Sequence, residues 1–258
     1  MIISPMILFL KKNSKKIILY FIAIGLVVVL FYSNTTISYL FKDKIMIHRV
    51  NSIEKLNEVS QKYVGVELDV VYDSISNYFD VNHPPARSIQ LNLKQYLSKS
   101  NSFKDLVYWI DFKNLSNSNK EMSLIELNHI TASLSIPKKN IIVETTSPEF
   151  IEGFESAGYL TSYYLPPYLY SKTKDSLTYY IKQIKNKCTE HKTDYISFDS
   201  KDYSIVKEYF PDYKKISWYT GESSRLKKIP SKINLYRILL DNNIDYFLFP
   251  YLSKNGER

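Results

Sequence analysis

Residues 64–85, VGVELDVVYDSISNYFDVNHPP, combine the pattern of a buried strand with acidic side chains. The stretch begins with a short apolar run that contains β-branched residues, which predicts a strand in the core. Glu67 and Asp69 interrupt this run, and because side chains alternate along a strand, both carboxylates point the same way. Buried carboxylates need a partner, so we expect either ion pairs with lysines of neighbouring helices or a bound hard cation.

Strand and helix patterns alternate along the chain after residue 44. The predicted strands are residues 45–50, 64–72, 106–114, 141–146, 160–166, 195–200, 214–220 and 244–251. The predicted helices are residues 52–63, 91–99, 121–134, 148–158, 176–188, 203–210 and 234–242. Such alternation predicts a parallel sheet, and about eight units of this length close into a (β/α)8 TIM barrel. An open doubly wound sheet is the alternative, but it needs a glycine-rich phosphate turn where this chain has HRVNS (48–52).

The N-terminal region has the pattern of a membrane anchor. Lysines at positions 11, 12, 15 and 16 precede IILYFIAIGLVVVLFY (17–32), which has no charged residue. This order predicts an uncleaved transmembrane helix with the N-terminus in the cytoplasm, although a buried core helix is the alternative. The expected domains are a basic N-terminus (1–16), an anchor (17–33), a linker (34–43) and a barrel (44–258) on the periplasmic or extracellular side.

Composition excludes some classes of function. The 258 residues carry a formal net charge of +8. The cations outside the N-terminal cluster are spread over predicted surface helices, without a basic stripe that has interleaved aromatic residues. We therefore expect no nucleic-acid partner. The single cysteine, Cys188, excludes an internal disulfide.

In a TIM barrel, active sites form at the C-terminal ends of the strands. Polar residues fall at that end of strands one, two, three, four and six: His48, Glu67, Asp69, Asp111, Lys113, Glu144, Ser197 and Asp199. Several inward carboxylates on consecutive strands are hard to explain as core filling, so they predict a polar site. Trp109 and Trp218 either line the mouth of this site or pack in the core.

These motifs resemble the glycerophosphodiester phosphodiesterase-like barrel superfamily, which includes the phospholipase-C-like and spider-venom sphingomyelinase D enzymes. The matching motifs, in order, are His48-Arg49, Glu67-Leu68-Asp69, His83 and Asp111-Phe112-Lys113. A closer similarity is to the menorin branch, through HRVNS (48–52), VELDV (66–70) and NHPP (82–85). Val50 stands where the superfamily's enzymes usually have glycine, and this departure leaves the substrate open.

The resemblance implies a metal-dependent phosphodiesterase acting on glycerophosphodiesters or phospholipid head groups, as a hydrolase or a lyase. Glu67, Asp69 and Asp111 would hold a divalent cation, Mg²⁺ or Ca²⁺. His48 and His83 would act as general acid and base, with the assignment open.

The implied phosphate-binding residues are Arg49 and Lys113, with Lys113 also counted among the catalytic residues. Glu144 is a candidate fourth ligand or orienting residue, or else an ion-pair partner of Lys113, and Asp199 is a candidate supporting residue. A catalytically silent menorin-like barrel that binds a ligand or a protein partner is the alternative function. A scaffold without pocket chemistry is the third. A lysine amine that fills the position expected for the cation would overturn the enzymatic interpretation.

Overall fold

The computed structural model describes residues 5–99, 105–219 and 229–254, without the side chains of residues 5–15, 229 and 230. It divides the chain into two compact units, Met1–Lys42 and Asp43–Arg258.

The N-terminal unit contains two helices, α1 (Pro5–Tyr32) and α2 (Asn34–Leu40). Ser33 lies between them and caps α2, because its hydroxyl accepts a hydrogen bond from Thr36 N at 3.2 Å. Among the described residues, no single helix is both long and apolar enough to cross a membrane. Lys16–Tyr32 and Asn34–Leu40 meet that requirement only as a pair, with a bend of 73° between them.

The second unit is a closed barrel of eight parallel strands, which confirms the predicted TIM barrel. The strands, with one antiparallel addition (β3), are β1 Ile45–Ile47, β2 Gly65–Asp73, β3 Tyr78–Val81, β4 Val107–Phe112, β5 Ile141–Thr145, β6 Leu160–Tyr164, β7 Tyr195–Asp199, β8 Lys215–Trp218 and β9 Ile244–Phe249. The barrel closes because β1 pairs in parallel with both β2 and β9. Thr220, the predicted end of the seventh strand, lies outside the described residues.

Helices follow seven of the eight barrel strands in the described part of the chain. They are α3 Ile53–Val59, α4 Leu93–Ser98, α5 Lys120–Leu134, α6 Glu152–Ser156, α7 Lys174–Glu190, α8 Tyr203–Tyr209 and α9 Ile229–Leu239. Several begin at side chains that accept hydrogen bonds from the first helical turn. Ser52 caps α3, Thr173 caps α7, and Asn92 forms a capping box with Gln95 at α4.

The hairpin formed by β2 and β3 is absent from the prediction. β3 runs antiparallel to the last four residues of β2. The turn is stabilised by Asp73, whose Oδ1 accepts hydrogen bonds from Ile75 N at 2.8 Å and Ser76 N at 3.3 Å. The hairpin returns the chain to the barrel, where Asn82 N donates to Asp69 O at 3.0 Å. His83 therefore follows directly beside the end of the acidic strand.

The barrel interior contains an apolar cluster. Its buried members are Met46, Trp109, Ile142, Tyr195, Ile216, Trp218 and Leu248. Gly65 is the first residue of β2 and makes this packing possible. A Cβ at that position would lie 2.4 Å from the backbone oxygen of Val107 and 2.6 Å from Met46 Cε. The methionine end could move but the backbone oxygen could not, so the close approach of β2 to β4 requires glycine here.

Candidate active site

A cavity of about 110 Å³ contains nearly all of the predicted site residues. Its lining consists of His48, Arg49, Glu67, Asp69, His83, Trp109, Asp111, Lys113, Glu144, Tyr164, Trp218 and Leu248. Asp199 is not among them. The cavity is therefore polar on the side of β1, β2 and β4 and aromatic at Trp109, Tyr164 and Trp218.

The turn after β1 is held in an unusual conformation. Arg49 has a φ of 53°, which side chains other than glycine rarely adopt. Its N–H donates to Glu67 Oε2 at 2.6 Å. The buried Lys55 amine donates to His48 O at 3.1 Å and to Arg49 O at 2.9 Å. These contacts fix the backbone that carries His48 and Arg49.

The three acids predicted as ligands converge. One oxygen from each of Glu67, Asp69 and Asp111 lies within 4.8 Å of the other two. The register explains this, because Asp69 of β2 is directly opposite Asp111 of β4. The Lys113 amine contacts two of the three, at 2.7 Å from Asp69 Oδ1 and in a short hydrogen bond to Asp111 Oδ2. The lysine thus bridges both aspartates.

Burial and mutual repulsion disfavour the ionised forms of Glu67 and Asp111. Burial, reinforced by Asp69 and Asp111, raises the pKa of Glu67 well above its ordinary value. Burial also raises the pKa of Asp111, although Lys113 offsets part of the effect. Burial acts to lower the pKa of Lys113, but the charges of Asp111 and Asp69 outweigh it and raise that pKa. The amine is therefore a permanent cation beside the aspartates.

Both histidines line the cavity, and Arg49, the residue after His48, contacts the ring of His83. His48 Nε2 lies 3.7 Å from Glu67 Oε2. Burial, followed by the charge of Arg49, lowers the pKa of His48 to about 3, so its ring is neutral at pH 7. Arg49 Nη2 lies 3.2 Å from His83 Nε2. Because arginine can only donate, His83 Nε2 accepts in this arrangement and the ring proton lies on Nδ1.

Glu144 and Asp199 have different surroundings. Glu144 Oε2 accepts a hydrogen bond from Ser162 Oγ at 2.9 Å, and Ser197 is a second hydroxyl partner. Burial, followed by repulsion from Asp111, raises the pKa of Glu144 to about 8. Asp199 accepts from Lys201 N at 3.0 Å and caps the short 3-10 helix that follows β7. It therefore stabilises its own loop.

Sequence reasoning assigned no role to Asn51, although the residue lies within the HRVNS motif. Its side chain donates to Asp69 Oδ2 at 2.7 Å and accepts from Asp69 N at 2.9 Å. The signal that could have found it is a polar residue directly before the Ser52 cap, at the same barrel end as the acids. The two tryptophans both pack in the core and line the site. Trp109 and Trp218 belong to the apolar cluster, and both also line the cavity.

The donor set fits a hard divalent cation. Oxygen ligands lie about 2.0–2.6 Å from Mg²⁺ or Ca²⁺, so two oxygens of one coordination sphere are at most about 5 Å apart. The three carboxylate oxygens satisfy this limit. Repulsion among the three acids contributes to the raised pKa values of Glu67 and Asp111, and a bound divalent cation would offset that repulsion. The Lys113 amine, however, contacts two of the three carboxylates and competes with a cation for their oxygens. This arrangement meets part of the condition that would overturn the enzymatic interpretation.

No protein-family model matches the chain, and no curated protein matches its sequence. Solved structures match its fold. A glycerophosphodiester phosphodiesterase from Parabacteroides distasonis is 14% identical with a TM-score of 0.53, covering 83% of this chain and 95% of its own. A phosphodiesterase from Oleispira antarctica, in complex with the product sn-glycerol-3-phosphate, is 11% identical with a TM-score of 0.52, covering 83% and 94%.

An orotidine 5'-monophosphate decarboxylase from Methanocaldococcus jannaschii also matches, at 13% identity and a TM-score of 0.50, covering 83% and 94%. TIM barrels with unrelated chemistry thus match nearly as well, so these likenesses concern the fold. Several glycerophosphodiester phosphodiesterases are among the structural neighbours. The TIM-barrel fold that the resemblance implied is therefore confirmed.

Proposed function

We propose that this protein is a divalent-cation-dependent phosphodiesterase that cleaves glycerophosphodiesters or phospholipid head groups. The observation that carries the proposal is the convergence of Glu67, Asp69 and Asp111 within 4.8 Å, in a cavity that both histidines line. The fold shared with glycerophosphodiester phosphodiesterases supports the same class of substrate. One of these neighbours is in complex with sn-glycerol-3-phosphate.

Glu67, Asp69 and Asp111 would hold the cation, Mg²⁺ or Ca²⁺. When bound, such an ion polarises a phosphodiester and neutralises the charge that develops on its oxygens. The cavity residues that are not ligands supply binding and proton transfer. Arg49 presents a guanidinium to phosphate oxygens, and its left-handed turn is held by Lys55 and Glu67.

His48 and His83 are the proposed acid–base pair. A pKa lowered to about 3 makes His48 a weak base in the substrate-free protein, so a general-base role requires that the negative charge of a bound phosphodiester raise that pKa. His83 enters from the β2–β3 hairpin on a different segment, so the two imidazoles can serve opposite ends of one bond. Attack by a substrate hydroxyl would give a cyclic phosphate, whereas attack by water would give an open phosphomonoester.

The proposal includes attachment to a membrane through residues 17–33, with the N-terminus in the cytoplasm and the barrel on the periplasmic or extracellular side. The uncharged run of residues 17–32 supports it, as does the lysine cluster that precedes the run. Most of the large apolar side chains of this run are exposed within the described residues, as those of a lipid-facing helix would be. Resistance of the protein to extraction from membranes by alkaline carbonate tests this attachment.

The activity is tested with the full-length protein in detergent, incubated with glycerophosphodiesters and phospholipids in Mg²⁺, Ca²⁺ or EDTA. We expect cation-dependent release of product that falls about 10²- to 10⁴-fold in His48→Ala and in His83→Ala. His129→Ala is the matched control, because His129 is an exposed residue of α5 that does not line the cavity. Undiminished release in EDTA, or in both cavity variants, would contradict the proposal.

A catalytically silent barrel that binds a ligand or partner is the second candidate function. The observation in its favour is the Lys113 amine, which bridges Asp69 and Asp111 where the cation would bind. For a silent barrel, cation and phosphodiester binding would raise the melting temperature without any turnover. That result, with folded wild-type protein and the full substrate panel, would favour this alternative.

A further inference from the structure

Asn51 occupies a place between the first two strands of the barrel. It follows β1, precedes the cap of α3, and reaches across to Asp69 on β2. Its Nδ2 donates to Asp69 Oδ2 at 2.7 Å, and its Oδ1 accepts from Asp69 N at 2.9 Å. The amide orientation is determined by these partners, because a flipped amide would place its NH₂ against a backbone N–H.

The two bonds fix the orientation of the Asp69 carboxylate. Oδ2 is taken by a neutral donor, while Oδ1 lies 2.7 Å from the Lys113 amine. Asp69 is 1% exposed, so water contributes little to its orientation. A neutral amide fixes the carboxylate without adding a charge that would compete with a cation. Asn51 thus determines which oxygen Asp69 presents.

The turn around Asn51 has other supports. Val50 N donates to Glu67 O at 2.8 Å, and the buried Tyr96 hydroxyl donates to Val50 O at 2.7 Å. Lys55 holds the carbonyls of the two residues before Val50. Because these contacts already secure the backbone, the specific contribution of Asn51 is to the Asp69 carboxylate.

We infer that Asn51 is a positioning residue for the cation-binding carboxylate of Asp69. The inference rests on the proposed function, in which Asp69 is a ligand. Residues that hydrogen-bond to metal ligands typically contribute a factor of about 10–100 in metal affinity. Removal of the amide should therefore weaken cation binding, even though Asn51 is itself no ligand.

Thr161 offers a matched control at the other end of the barrel. It lies near the start of β6 and its hydroxyl donates to Asp194 Oδ2 at 3.1 Å, while accepting from Asp194 N at 3.2 Å. This is the same two-way bridge to one aspartate that Asn51 makes. Thr161→Val removes it in a buried setting without touching the cavity.

The test is calorimetric titration of full-length protein in detergent with Mg²⁺ and with Ca²⁺, without any phosphodiester. We expect the dissociation constant of Asn51→Ala to rise about 10- to 100-fold, and that of Thr161→Val to stay within about twofold. In assays of turnover, the cation concentration for half-maximal rate should rise in Asn51→Ala, with most of the rate recovered at saturating cation. A merely structural role would lower the melting temperature and leave both quantities unchanged.

Failure of the inference and of the proposed function give different results. If Asn51→Ala binds the cation as tightly as the wild type does, the inference is overturned and the proposed function is not. Folded wild-type protein that binds neither cation would overturn the proposed function together with it. If Asn51→Ala does not fold, Asn51→Ser is a smaller change with the same expected weakening, and unchanged affinity in it would overturn the inference equally.

Discussion

The ends of β2 and β7 carry similar sequence patterns and do different things. β2 presents Glu67 and Asp69 two residues apart, and β7 presents Ser197 and Asp199 at the same spacing and the same end of the barrel. Asp69 receives donors from both neighbouring segments, one after β1 and one after β4. One contact of Asp199 is to its own loop, where it accepts the backbone N–H two residues further along.

The difference shows what converts an inward acid into part of a site. Spacing places the carboxylate at the correct end of the strand, but the donors on adjacent strands decide where its oxygens point. An acid with charged and amide partners across the sheet joins a cluster. Asp199 caps the short 3-10 helix that follows β7 and does not line the cavity.

Asn substitutions at the two aspartates give the largest expected contrast. Asp69→Asn removes a charged ligand, and we expect cation affinity and turnover to fall at least about 100-fold. Asp199→Asn keeps a capping oxygen and lies outside the cavity, so cation affinity should stay within about threefold and stability should fall by about 1 kcal/mol or less. Calorimetric titration and urea unfolding measure the two effects. Equal losses of cation affinity in both variants would contradict the assignment of Asp69, and not Asp199, as a cation ligand.

A smaller effect of opposite sign is expected at Lys113. Its amine bridges Asp69 and Asp111, so Lys113→Met removes a competitor for their oxygens and should tighten divalent-cation binding on the order of tenfold. Turnover should fall in the same variant, because a phosphate-binding charge is lost. Binding is followed by calorimetry and turnover by product release.

Arg49→Met is the control for Lys113→Met, since it removes a nearby positive charge whose guanidinium contacts His83. If both variants tighten binding equally, general electrostatics explains the effect. If neither does, Lys113 and the cation do not share the aspartate oxygens.

The barrel could be predicted from the sequence because its signals are local. Each barrel strand has its own apolar run, some helices begin at a side-chain cap, such as Ser52 and Thr173, and eight strands define closure. The β3 strand could not be predicted in this way. Residues 78–81 pair with an extension of β2 beyond the barrel, and their short pattern, YFDV, has no distinctive periodicity.

Strand alternation and fold were enough to gather most of the site, because parallel strands bring their C-terminal ends together. Strand alternation and fold could not reveal which donors each carboxylate bonds to. Asp199 satisfies every rule of spacing that Asp69 does, and only tertiary contacts separate them. Arg49 is a similar case, since its left-handed backbone depends on a lysine six residues later and a glutamate on the next strand.

Glu144 is a third kind of inward acid, held by hydroxyl groups, and it predicts a pH effect. Its pKa is raised to about 8 by burial and then by Asp111, so the folded state favours the protonated form. The stability this provides is present below about pH 4.5 and is lost as the pH rises through about 8. Glu67 and Asp111 act in the same direction. In EDTA, the free energy of unfolding should therefore decrease from pH 5 to pH 8.5.

Glu144→Gln cannot ionise but keeps an oxygen for the Ser162 hydroxyl. Its free energy of unfolding should decrease less over this range than that of the wild type, by on the order of 2 kcal/mol. The measurement is urea unfolding at the two pH values, with Glu152→Gln, an exposed residue of α6, as the control. An equally steep decrease in Glu144→Gln would mean that Glu144 is already ionised at pH 5. Its charge would then have to be balanced by partners within the cluster, as that of Asp69 is.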